Sequence, residues 1–136
     1  MKRYPWVSKD WQGEYKEILE QVSLYPTGQG TVRSDEKEDI EIFLEEAYLV
    51  PALMGEAGEV ASIYAKLIRD NKGRIDDEDI EKVIKELGDV LFFVSRLASL
   101  YGYNLSDVAA INALKLLTRL EKGCIQGSGD SREENI

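Results

Sequence analysis

The sequence predicts an all-α fold, an antiparallel helical bundle, and three observations carry that prediction. Apolar residues recur at three- and four-residue spacing along successive segments. No stretch alternates polar and apolar residues over the length of a strand. Short turns containing Gly or Pro separate the segments, as between antiparallel neighbours. With 136 residues, 43% hydrophobic and 32% charged, the chain reads as one globular domain. Residues 1–34 form its N-terminal helix and loop, and 123–136 a flexible polar tail.

Taken in order, Ser8 or Asp10 can cap a first helix with Trp11, Tyr15, Ile18, Leu19 and Val22 at helical spacing. Tyr25-Pro26-Thr27-Gly28-Gln29-Gly30 ends it, because Pro cannot continue a helix and the glycines punctuate the loop. Ser34 or Asp35 opens a second helix, whose face is Ile40, Phe43, Leu44, Ala47 and Tyr48. Pro51 removes a donor and clashes with the Ala47 carbonyl, which predicts a kink or a fresh helix start. Helix then continues to about Arg69, and 70–74 is a turn. A long helix follows from about Asp77 to Leu100, and its apolar run 90–94 predicts a buried central helix. A turn at 101–104, with Ser106 as cap, leads to a last helix ending near Glu121 and stopped by Gly123.

Composition narrows the function classes. There is no histidine, which excludes Ser-His-Asp and Cys-His catalysis, imidazole zinc sites and the Glu-x-x-His ligands of di-iron bundles. The net charge of −9 argues against a nucleic-acid surface, which needs a basic stripe. No apolar run approaches the length of a membrane span, and the opening Met1-Lys2-Arg3-Tyr4-Pro5-Trp6 lacks the apolar run of a secretory leader. The single Cys124 cannot form an internal disulfide, which fits a reducing cytoplasm, and it reads as incidental.

Two acidic pairs stand out: Glu56 and Glu59 within Gly55-Glu56-Ala57-Gly58-Glu59-Val60, and Glu86 and Asp89 within Lys85-Glu86-Leu87-Gly88-Asp89-Val90. Spacing alone is weak, since 26 acidic residues among 136 supply about five i,i+3 pairs by chance. Angular position says more. At about 100° per residue, Glu56 falls about 60° from the centre of its apolar stripe, with Glu59 further round at the border. Glu86 is bracketed by Leu97 and Phe93, with Asp89 about 60° beyond. Carboxylates beside a core are costly unless a cation compensates them. Oxygen-only ligands point to Mg²⁺ or Mn²⁺ at Glu56, Glu59, Glu86 and Asp89. Gly55, Gly58 and Gly88, each costing about 1 kcal/mol relative to Ala, suggest close helix approach or room for a ligand. On the last helix Asn112, Lys115 and Arg119 share a face suited to phosphate oxygens, and Lys66 is a further cation near the first pair.

These segments, with Asn112-Ala113-Leu114-Lys115-Leu116-Leu117-Thr118-Arg119 and the stretch 123–132, resemble the MazG-like members of the all-α nucleoside triphosphate pyrophosphohydrolase superfamily. The resemblance spans about 53–132 and rests on a pattern E-E-x-x-E, a spacer, then E-x-x-D. It implies a MazG-like four-helix core completed as a homodimer or homotetramer. It further implies Mg²⁺-dependent hydrolysis of a (d)NTP to the monophosphate and pyrophosphate, a nucleotide-pool housekeeping activity. Glu56, Glu59, Glu86 and Asp89 carry over as metal ligands, and Asn112, Lys115 and Arg119 as substrate contacts. The leading Glu of the pattern is Gly55 here, so a base at that position is not transferable, and Glu56 or Glu59 is assigned to orient the water. Two other readings stand beside this one: a dUTPase or phosphoribosyl-ATP pyrophosphohydrolase, and a non-catalytic acidic helical module that binds a protein partner.

Overall fold

The computed structural model describes residues 11–23 and 37–126, with side chains from 44 onward in the second segment. It contains four helices: α1 (Trp11–Val22), α2 (Lys37–Asn71), α3 (Asp77–Leu100) and α4 (Leu105–Glu121). No strand occurs among the described residues. The fold is all-α, as predicted. The expected caps at Ser8, Asp10, Ser34 and Asp35, and most of the tail, lie outside the described residues.

α2 and α3 form an antiparallel hairpin, tied by contacts from 45–48 of α2 to the second half of α3 and Tyr101 just beyond it. Arg96 donates to Glu45 at 3.0 Å, the rings of Tyr48 and Phe93 lie 6.4 Å apart, and Tyr101 donates to Glu46 at 2.7 Å. Leu49 of α2 is fully buried, which stabilises the fold by about 2 kcal/mol. Leu67, Val83, Phe93 and Ala98 complete the hairpin's share of the core, and α1 adds Leu19. Within the apolar run 90–94, Phe93 alone is buried while Leu91 is exposed, so one chain leaves the expected central helix half-covered.

Turn chemistry explains the helix ends. Lys72 and Gly73 adopt left-handed φ angles of 53° and 75°, and the Gly73 amide donates to the Leu67 carbonyl at 3.0 Å, closing α2. Asp76 caps α3 by accepting from the Asp79 amide at 2.9 Å, while the Asp79 carboxylate accepts from Asp76. Asn104 and Asp107 make the same reciprocal cap at α4. Asn104, rather than Ser106, is therefore the cap: its side chain stands three residues before an acidic partner, and the Ser106 hydroxyl donates to it. Pro51 lies inside α2, which neither stops nor restarts there. Ala47 and Pro51 are exposed, so water can meet the carbonyl that the proline ring leaves unpaired. No helix among the described residues is long and apolar enough to cross a membrane.

α4 meets the end of α3 but turns a row of large side chains outward. Ile111, Leu114, Leu117 and Leu120 are each more than half exposed. The Cys124 amide donates to the Arg119 carbonyl at 2.8 Å, and Cys124 is buried, so the first residues of the tail fold back on the helix end.

Candidate metal centre

Glu56 and Glu59 stand one turn apart on α2, as do Glu86 and Asp89 on α3. The register of the hairpin sets Glu56 against the second pair. Carboxylate oxygens of Glu56, Glu86 and Asp89 all lie within 4.8 Å of one another. Glu56 and Glu86 are half-buried and Asp89 is exposed. Glu59 is exposed and does not belong to this group of three, in keeping with its position further round the helix.

The Glu56 carboxyl is held above its ordinary value, first by desolvation and then by the negative charges of Asp89, Glu86 and Glu59. Glu59 thus adds to the local field although it stands apart. Such crowding is what a bound cation relieves. The donors are oxygens only, supplied from two helices, which is the ligand type a hard divalent cation would take. Open flanks agree with this. A Cβ at Gly55, Gly58 or Gly88 would meet nothing within 4 Å, so within one chain these glycines leave room rather than permit close helix packing.

The other expected site residues are not gathered at this point. Lys66 is exposed ten residues beyond Glu56, about 15 Å along the axis of α2. Asn112 and Lys115 line a recess of about 570 Å³ with Ala98 and Tyr101, at the far end of α3 from Glu86. Arg119 is only 4% exposed and so does not belong to a solvated polar face.

Comparison with known proteins adds the decisive observation. The model of the MazG nucleotide pyrophosphohydrolase domain matches residues 44–124, which takes in α2 from residue 44, α3, α4 and all four acidic positions. The chain belongs to the MazG family. It is also 43% identical over 86 residues to the Gene 37 protein of Mycobacterium phage L5, covering 63% of this chain and 75% of that protein. No solved structure gives a significant match.

The MazG match begins after α1, yet α1 packs against α3 beside the carboxylates. The Tyr15 hydroxyl is pushed up, first by burial and then by the charge of Asp89. Its ring lies 6.4 Å from that of Trp11. Sequence periodicity set Tyr15 on the apolar face of the first helix, and nothing in it could reveal Asp89 as a neighbour. That proximity arises only from how α1 docks.

Proposed function

We propose that this MazG-family chain is a Mg²⁺-dependent pyrophosphohydrolase, which hydrolyses (d)NTPs to (d)NMPs and pyrophosphate in nucleotide-pool housekeeping. The observation that carries this reading is the meeting of Glu56, Glu86 and Asp89 from two helices at one point. These three would hold the ion, for which Mn²⁺ is the nearest substitute. When bound, the ion supplies Lewis acidity toward phosphoryl oxygens and lowers the pKa of coordinated water. Glu59, exposed and one turn from Glu56, orients the attacking water and takes its proton. Water adds at the α-phosphorus, and the bond to the bridging oxygen breaks to release pyrophosphate.

Phosphate contacts are assigned to Lys66, Asn112 and Lys115, with buried Arg119 holding α4 in shape. Asn112 and Lys115 stand away from the carboxylates of their own chain, so we infer that they serve the site of a second copy. A homodimer or homotetramer would also cover the outward leucines of α4. No nucleic acid or membrane partner enters this reading, and the compartment proposed is the cytoplasm.

The test is a panel of (d)NTPs, including dUTP, and phosphoribosyl-ATP, assayed for pyrophosphate with Mg²⁺ or with EDTA. The expected result is pyrophosphate release that requires metal and falls at least a thousandfold, roughly, in Glu56→Gln/Asp89→Asn. Orthophosphate in place of pyrophosphate overturns the bond assignment. Undiminished turnover in the double variant overturns the site, and no turnover of any substrate favours the interaction module.

A further inference from the structure

We propose that a cleft between α1, the last turns of α3 and the start of α4 binds a small phosphate ester, at a place separate from the three carboxylates. The cleft has a volume of about 280 Å³ and is lined by Gln12 and Lys16 of α1, Ser95 and Ser99 of α3, and Asn104 with Leu105. That size is near the lower end for small-molecule sites, which suits a compact metabolite. Ser95 and Ser99 lie six and ten residues beyond Asp89, about 9 and 15 Å along the axis.

Ser95 supplies the observation that points to a ligand. It is 6% exposed, and its hydroxyl has no hydrogen-bond partner among the described residues. A helical hydroxyl can bond back to the carbonyl four residues earlier, as Ser99 and Thr118 do within their helices and Ser23 does just past α1. Ser95 does not. A buried hydroxyl left unpaired is costly, and a polar ligand in the cleft removes that cost.

The lining also selects the ligand's charge. Among the described residues no carboxylate lines the cleft, although acidic residues outnumber basic ones 26 to 17 in the chain. Among the described residues Lys16 brings the one charged group to the lining, and it also lines an adjoining recess with Ser99 and Asn104. Its pair with Glu20 is loose, at 3.9 Å with both side chains more than half exposed, so Lys16 can turn to an anion at little cost. Asn104 uses its side-chain oxygen in the α4 cap, which leaves its amide NH₂ as a donor. Lys16 would take the phosphoryl group, while Gln12, Ser95 and Asn104 take hydroxyls of the ester.

Isothermal titration of the whole chain in EDTA, with ribose 5-phosphate as probe and ribose as control, tests this. Binding of ribose 5-phosphate but not ribose is expected, weakened about tenfold or more in Lys16→Met. Ser95→Ala should weaken binding about tenfold while leaving the ligand-free melting temperature unchanged or higher, since it deletes an unpaired group. The Glu56→Gln/Asp89→Asn variant should bind as the wild type does, which separates this cleft from the metal site. The proposal fails if no heat appears at millimolar probe, if ribose binds equally, or if Lys16→Met binds unchanged. It also fails if ligand-free Ser95→Ala melts several degrees lower, because the hydroxyl would then have a partner in the fold.

Discussion

The α2–α3 hairpin and α4 are built from equally apolar material but are finished differently. The hairpin has its own cross-links: the Glu45–Arg96 ion pair, the Tyr48–Phe93 ring contact and a fully buried Leu49. α4 is well capped at both ends, yet Leu114 and Leu120 are 68% and 63% exposed. One region is tied together by contacts within a single chain and carries the carboxylates, although Met54, Ile68 and Ile84 still face outward. The other is locally determined as a helix but lacks a covering surface, so capping and tertiary burial are separate requirements.

The largest effect expected within this contrast concerns the hairpin. Arg96→Ala removes the guanidinium that faces Glu45 at a site where the two side chains are only 16% and 12% exposed. It should cost about 2–3 kcal/mol, read from the urea midpoint. A loss below about 0.5 kcal/mol would mean that apolar packing alone fixes the register.

The next effect concerns assembly. Leu114→Lys/Leu117→Lys places charges on the outward row of α4 and should convert a dimer or tetramer to a monomer in light scattering, with little change in helix content. A wild-type chain that is already monomeric would break the comparison, since α4 would then need no cover.

The smallest effect tests the electrostatics of the site. The Glu56 carboxyl is raised by desolvation and by three like charges, so folding disfavours its ionised form. The stability it permits is fully present below its ordinary value and is lost as pH rises through the raised one. In EDTA, Glu56→Gln should therefore melt a few degrees above wild type near neutral pH, with the difference vanishing at acid pH. An equal offset at both ends of the melting-temperature profile would assign the effect to packing.

Much of this was legible in the sequence, and the exceptions have physical causes. α3 and the end of α4 were readable because their boundaries are set locally, by Asp76 and by Gly123 with its left-handed φ of 66°. The α4 cap was misplaced at Ser106 because Asn104 and Ser106 are both capping residues, and only reciprocal bonding with Asp107 decides between them. The fate of Pro51 depended on whether the Ala47 carbonyl meets water, which is a tertiary fact. Angular position placed Glu56 and Glu86 beside the core and set Glu59 further out, and the hairpin keeps that difference. The remoteness of Lys115, the burial of Arg119 and the nearness of Tyr15 to Asp89 depend on how helices dock, and helical spacing carries no such information.

The central claim is that Glu56, Glu86 and Asp89 together hold one hard divalent cation. Titration of the wild-type chain with Mn²⁺, followed by its electron paramagnetic resonance signal, tests it most directly. The account predicts a saturable site, displaced by excess Mg²⁺ and lost in Glu56→Gln/Asp89→Asn while the variant keeps its helical content. Mn²⁺ binding of the same strength in wild type and the folded double variant would contradict it.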